Sequence, residues 1–294
     1  MILNVYIKCF YNISEKIRLN LFYKSVMIDT KKLNPIDVND LIRLGRSNDG
    51  GYVITNKILS ISDSLLSYGI NKDWSFEKDF WKQKPESIIH CYDHSLSLVK
   101  LIFFTLKSVF LSTIHFFLFD KKRLAKEFSG IFVIPDYYYF FQKKRVYFKN
   151  RIWNNNKNNS KTFQDTLTKI CSLGAKNIFL KMDIETAEYK VLNDVLNTKN
   201  NIVGMAIEFH KIDEYAIEFN SLVSSFLKDF YIVHIHGNNY GKLIGRNNFP
   251  SVLEITFIKK KYINRPVKMS NKSYPIIGLD QPNRFSKPDC KLIF

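Results

Sequence analysis

Cysteine is scarce in this chain, and its four copies, Cys9, Cys91, Cys171 and Cys290, lie far apart with no C-x-x-C pair. That spacing excludes a disulfide framework and a cysteine-based zinc site, and it suits a reducing, cytoplasmic setting. No zinc-finger or RNA-binding signature is present, so a nucleic-acid partner is not expected. Residues 1 to 24 lack the unbroken apolar core and small-residue cleavage site of a secretory signal, because Lys8, Glu15, Lys16 and Arg18 interrupt them. Acidic charge is also short: 27 Asp and Glu stand against 44 Lys and Arg, a formal excess of +17. Such an excess suits an anionic ligand, nucleic acid or a lipid surface. The lysines are scattered, however, through a chain crowded with Asn, Ile, Phe and Tyr, and they cluster only at 121–123, 143–145 and 259–261. Much of the excess therefore reads as solvated surface.

What is present is the grammar of an α/β fold. The chain is 46% hydrophobic over 294 residues, enough for a substantial core. Its focus is Phe179 to Leu192. Ile178, Phe179, Leu180, Met182 and Ile184 make the near-continuous apolar run of a central parallel strand covered on both faces. Past Glu185 the period changes, and Ala187, Val191, Leu192, Val195 and Leu196 recur at helical steps. Asp183 and Glu185 then sit at the carboxyl end of a strand, where open α/β sheets bind their ligands. The same acids would also serve as ordinary first-turn charges of the following helix.

Residues 1–40 read as a helical lead-in, with Ile13, Ile17, Leu21 and Phe22 at helical spacing. Residues 41–260 carry the main domain. In 41–54 two apolar runs flank a polar turn holding Gly50 and Gly51, a hairpin signature. Ser64 to Ile70 is a strand ending at Gly69, and a helix follows with Asp73 or Ser75 able to cap it. Ser87 to Asp93 is a second strand, closed by a carboxylate. A glycine turn after one strand and an acid ending the next is a nucleoside-binding layout, here with one glycine rather than a glycine-rich loop.

The segment 95–145 is an apolar and aromatic insertion. Lys100, Lys107 and His115 interrupt its run from Leu98 to Phe119, which argues against a membrane span. A buried helix pair is the expected structure, with an interfacial helix resting on a membrane as the alternative. Arg145 to Phe148 reads as a third strand, and 154–159 as an exposed Asn- and Lys-rich loop. Ile202 to His210 is a further buried strand ending in Glu208 and His210, and a helix is expected over 213–227. Tyr231 to Asn239 and Ser251 to Ile258 have no room for a crossover helix between them and must pair antiparallel. The basic tail, 261–294, is expected to wrap the surface.

Taken in order, Arg46-Ser-Asn-Asp-Gly-Gly-Tyr-Val53, Ser67 to Glu77, Tyr92-Asp93, Leu180 to Glu188, Ile207 to His210 and His234 to Asn239 resemble the FkbM-type and related methyltransferase-like families. The resemblance spans about residues 40–258. It implies a Rossmann-like class I methyltransferase fold: a mostly parallel seven-stranded sheet with a C-terminal antiparallel hairpin and helices on both faces. It implies S-adenosylmethionine as cofactor and O-methylation of a small polar acceptor, such as a sugar or phosphorylated precursor of a bacterial surface glycan. Glu185-Thr-Ala-Glu188 departs from the family's usual Glu-Gly-Ala-Glu, and Asp93-His94 from its frequent Asp-Pro.

On that resemblance Asn48, Asp49, Gly50, Gly51, Tyr68, Gly69, Ser75, Asp93 and Asp183 would hold the cofactor. Asp183, Glu208, His210 and His236 would converge at the strand ends, with His236 and Asp183 the first general-base candidates and His210 beside them. Asp183, Glu208 and His236 could also hold a magnesium or manganese ion. His234 reads better as a hydrogen-bonded core residue. Two rival readings remain: a metal-dependent nucleotide-sugar glycosyltransferase using Asp183 and Glu185, and a non-catalytic module that binds nucleic acid or makes peripheral contact with a membrane.

Overall fold

The apolar run Ile178–Met182 is a wholly buried strand at the centre of a seven-stranded sheet in the computed structural model, which describes residues 27–245 and 248–294. The lead-in helix expected over Ile13 to Phe22 lies outside the described residues. The strands are β1 (Leu41–Leu44), β2 (Tyr52–Thr55), β3 (Ser64–Tyr68), β4 (Ile88–Tyr92), β5 (Arg145–Phe148), β6 (Ile178–Met182), β7 (Ile202–Phe209), β8 (Phe230–Gly237) and β9 (Leu253–Lys259). The helices are α1 (Asn56–Ile61), α2 (Ser75–Gln83), α3 (Leu98–Phe117), α4 (Lys121–Ile131), α5 (Val133–Phe140), α6 (Phe163–Cys171), α7 (Glu188–Asn197) and α8 (Ala216–Phe226). Two-residue strand pairs add short ribbons, Arg151–Ile152 with Ser160–Lys161 and Leu243–Ile244 with Phe249–Pro250.

From one edge the sheet runs β5-β4-β3-β6-β7-β9-β8. All neighbours from β5 to β7 are parallel, whereas β9 runs antiparallel to both β7 and β8. One reversed strand inserted before the last defines the Rossmann-like class I methyltransferase fold. β1 and β2 form the expected hairpin outside this sheet.

The side chains of β6 alternate between two buried faces, which is why every residue of the strand but Lys181 is apolar. Leu180 and Met182 join Phe163 and Ile170 of α6, Val191 and Val195 of α7 and Phe219 of α8. Phe179 points to the other face, where it stacks on Phe76 and Phe80 of α2. Local signals set the helix ends. Thr55 Oγ1 accepts from Ile58 N at 3.0 Å to start α1, and Thr162 with Asp165 makes a capping box on α6. Neither Asp73 nor Ser75 caps α2 in the expected way: Asp73 Oδ1 accepts from Ser75 N, and the position before the helix is Trp74.

The insertion departs from expectation. α3 and α4 do pair as an antiparallel hairpin, with α5 returning the chain to β5, but the outer face of α3 is open to solvent from Leu98 to Phe117. Apolar composition predicts burial, yet only Leu101, Ser108 and Ser112 of α3 are buried.

Candidate functional site

The chain leaves β3 toward β4 on one side and returns to β6 on the other, so the carboxyl ends of β3 and β6 form the switch point of the sheet. Gly69, just past β3, has φ +76°, and a Cβ there would lie 1.6 Å from the Asp183 carbonyl oxygen, so only glycine lets the two turns meet. Lys181 Nζ donates to Gly69 O at 2.8 Å and ties them together. A cavity of about 620 Å³ opens here, within the usual range for small-molecule sites.

Asp93 projects into this cavity from the end of β4. Its Oδ2 accepts from Asn71 N at 2.7 Å and its Oδ1 from Ser95 N at 2.5 Å, so the carboxylate is oriented by backbone and keeps further lone pairs for a ligand. Ile152 and Tyr92 line the wall beside it. At the far end Arg46 and Asp49 enter from the β1–β2 loop, with Arg46 Nε 2.7 Å from Asp73. Burial pushes the Asp49 carboxyl up from its ordinary value, with the Asn283 hydrogen bond opposing.

Asp183 also lines the cavity and is the start of a charged cluster behind it. Tyr52 Oη donates toward Asp183 Oδ2 at 3.3 Å and Glu208 Oε2 at 3.2 Å. Asn238 Nδ2 donates to Glu208 Oε1 at 2.8 Å. His210 Nε2 lies 3.6 Å from both Asp183 Oδ1 and Glu208 Oε1, while its Nδ1 meets the buried Glu188 at 3.2 Å. Burial pushes Asp183 up to about 6, with Lys181 and His210 pulling it back. Glu208 is raised further, by burial and then by Asp183. Burial alone would lower His210, but the Glu188 hydrogen bond and the charges of Glu208, Glu188 and Asp183 outweigh it and bring it to about 10. At neutral pH the arrangement is a protonated imidazole behind a carboxylate that titrates near neutrality.

The strand-to-helix turn that aims Asp183 is unusual. Glu185 and Thr186 both adopt left-handed backbone, at φ 53° and 75°, where a β-branched residue is strained. Glu185 stands 88% exposed, with Oε2 3.8 Å from His210 Nε2.

Of the residues expected to hold a cofactor, Asp49, Gly50, Gly69, Asp93 and Asp183 line the cavity. Asn48 and Ser75 instead line an adjoining cleft of about 740 Å³, which shares Arg46, Asp49, Lys72 and Asp73 with the cavity. Gly51 and Tyr68 line neither: Gly51 closes the loop turn onto Asn48 O, and the Tyr68 ring is buried in the core with its hydroxyl on Thr166.

His236 also stands apart. β9 separates it from Glu208, and it bonds through Nδ1 to Glu254 at 3.1 Å and through Nε2 to Asp289 of the tail at 3.0 Å. With both nitrogens on carboxylates it is a buried structural cation, neither a poised base nor a partner of Asp183 in holding a metal. His210, not His236, is the histidine beside the two acids: one ligand atom each from Asp183, Glu208 and His210 falls within 4.8 Å of the others. His234 is buried against Asp280 at 3.1 Å. Sequence reading missed Tyr52, Lys181, Glu188 and Asn238. Lys181 had a signal, a lone cation in the most apolar strand of the chain.

No protein-family profile and no curated protein sequence matches the chain. Solved structures that resemble it include a fibrillarin/Nop5p complex, at 11% identity and a TM-score of 0.34 over 67% of this chain and 73% of that one. A precorrin-6y C5,15-methyltransferase from Geobacter metallireducens gives 9% and 0.34 over 69% and 84%. The plantazolicin methyltransferase BpumL, in complex with SAH, gives 11% and 0.28 over 67% and 76%. The strand order, rather than similarity at this level, carries the fold assignment.

Proposed function

We propose that the protein is an S-adenosylmethionine-dependent O-methyltransferase acting on a small polar acceptor, with a sugar or phosphorylated glycan precursor as the favoured class. The observation that carries this reading is Asp93, oriented by two backbone N–H groups at the end of β4, one strand away from Gly69 at the switch point. The residues present suit such a cofactor: Asp93 offers acceptors for vicinal hydroxyls, Ile152 and Tyr92 offer a wall for a planar base, and Arg46 with Asp49 offers charges of both signs for an amino-acid end. When bound, the sulfonium supplies an electrophilic methyl group.

The chain's own part is alignment and proton removal. Asp183 accepts the acceptor's hydroxyl proton as its oxygen takes the methyl group, the electron pair of the breaking carbon–sulfur bond staying on sulfur. Protonated His210 and Tyr52 Oη hold Asp183 in place and limit the repulsion from Glu208. The trio Asp183, Glu208 and His210 offers two oxygens and one nitrogen, a set that magnesium or manganese would accept in exchange for the His210 proton.

Calorimetry with S-adenosylhomocysteine tests the reading. Two charged hydrogen bonds lost in Asp93→Asn correspond to about 3–6 kcal/mol, so micromolar binding should weaken by two orders of magnitude or more. Absence of binding by the wild type, together with binding of a nucleotide sugar in the presence of manganese, overturns the proposal in favour of glycosyl transfer.

A further inference from the structure

We propose that the α3–α4 hairpin is a docking surface for an anionic lipid bilayer. α3 is built inside out. The face it turns toward α4 carries Ser108 and Ser112, and a Cβ on Gly130 of α4 would lie 2.2 Å from Ser108 Oγ, so the helices meet through small residues. The bulky side chains point away: Phe103 is 69% exposed, Phe110 66%, Phe117 72% and Phe119 88%. Val99, Leu106, Val109 and Phe116 extend the same exposed surface along the helix. Small residues between helices with aromatic and aliphatic residues outside is how helices pack against one another in lipid. In water, this much contiguous apolar surface marks an interaction site.

The charge around the face identifies the occupant. Lys100 and Lys107 rise from the exposed side of α3, and Lys121 and Arg123 follow directly on the apolar tip at 116–119. The acids nearby are engaged inward or locally: Asp120 Oδ1 caps α4 by accepting from Arg123 N while its Oδ2 lies 3.4 Å from Arg123 Nε, which leaves the three lysines as the charges facing outward, and Ser108 Oγ donates to Glu127 Oε2. Lysines among phenylalanines suit an anionic leaflet, where the stems lie along acyl chains and the ammonium groups reach phosphates. A second copy of this chain would instead bring lysines against lysines.

The hairpin does not suit a full crossing. α3, at 20 residues, is long and apolar enough to span. Its partner α4 has 11 residues, roughly 16 Å of helix against a hydrocarbon core of about 30 Å, and it carries Lys121, Arg123 and Glu127. Both ends of the insertion return to the same sheet, at β4 and β5. The contact is therefore with one leaflet. Because Phe104, Lys107 and Phe132 also wall the cleft beside the cofactor cavity, docking would bring that cleft to the lipid surface.

Flotation of the full chain with vesicles of phosphatidylcholine alone, and of phosphatidylcholine mixed with phosphatidylglycerol, tests the assignment, with size-exclusion light scattering in parallel. Expected is binding to the mixed vesicles that falls with added salt. Lys107→Ser with Lys121→Ser should weaken it about 25-fold, taking about fivefold per basic residue at the surface. Phe110→Ser with Phe117→Ser should weaken binding to the mixed vesicles at least tenfold, while the melting temperature holds because both rings are already solvent-exposed. Failure of the wild type to float overturns the proposal, as does flotation that neither variant reduces. A wild-type dimer made monomeric by the phenylalanine changes, without vesicle binding, assigns the face to a second copy and overturns it too.

Discussion

His236 should make this protein lose stability as the solution turns alkaline. Its two nitrogens face Glu254 and Asp289 at 3.1 and 3.0 Å, and satisfying both requires a proton on each. Burial opposes that charge, but the carboxylates outweigh it and raise the group from 6.5 to about 10. A folded value above the unfolded one means that the native state keeps a proton the unfolded chain releases. The stabilisation is complete below about pH 6.5 and is lost as pH rises toward 10. Within that window unfolding free energy falls by about 1.4 kcal/mol per pH unit for each such histidine. His210, also raised to about 10, adds a slope of the same sign. Urea titrations between about pH 6.5 and 7.5, below the ordinary cysteine value of about 8.5, read the combined slope of the two histidines, and the difference between wild type and a His236 partner variant at higher pH reads the share of His236. Asp289→Asn removes one carboxylate from a partly exposed position, so the His236 midpoint should move down and the slope flatten at the upper end. A wild-type stability that is level or rising over this interval refutes the reasoning, and so does an Asp289→Asn protein with the wild-type slope.

Three further outcomes follow from the site. Asp183→Asn should lower turnover at saturating cofactor roughly a hundredfold or more, the ordinary worth of a positioned base; initial rates near those of the wild type remove Asp183 from proton transfer. Thr186→Gly should raise the urea midpoint, by about 1 kcal/mol of stability, because left-handed backbone costs threonine more than the added chain freedom costs glycine; a lower midpoint means the threonine methyl or hydroxyl stabilises the turn. Lys181→Met should cost about 3–5 kcal/mol, since the buried Glu77, whose carboxyl burial raises and Lys181 lowers, is left without its cation. Adding Glu77→Gln should recover much of that loss, and failure of the pair to recover any assigns the cost to packing.

Period and punctuation made the sheet legible. The switch from continuous apolar residues to helical spacing after Glu185 located β6 and α7, and the short link between β8 and β9 required an antiparallel pair. Site residues that end strands, Asp93, Asp183, Glu208 and His210, could be found the same way. His236 could not be placed, because pairing of β8 with β9 does not say which of them touches β7. β9 does, and this puts His236 one strand further out, where the tail supplies Asp289. Tyr52 and Glu188 lie within stretches that carry the family resemblance, but they reach the cluster through tertiary contacts from a hairpin and a helix, which no local pattern specifies. The insertion failed for a different reason: apolar residues show that a segment avoids water, without showing what covers it.

The placement of the few acids gives the charge excess its meaning. Asp49, Asp183 and Glu208 are gathered near the ends of β6 and β7; burial raises all three, and neighbouring carboxylates add to it, Glu254 and Asp73 on Asp49, Glu185 and Asp49 on Asp183, and Asp183 and Glu254 on Glu208. Lys181 and His210 offset that repulsion from within the same few ångströms, and neither is solvent-exposed. An apolar cluster of equal volume would serve stability as well or better, so an ionic cluster at the ligand-binding edge of the sheet is a mark of chemistry rather than of folding. The excess of lysine lies outside it. Some of that excess borders the apolar face of α3, where it gives the protein a second and separate surface on which charge sign decides the partner.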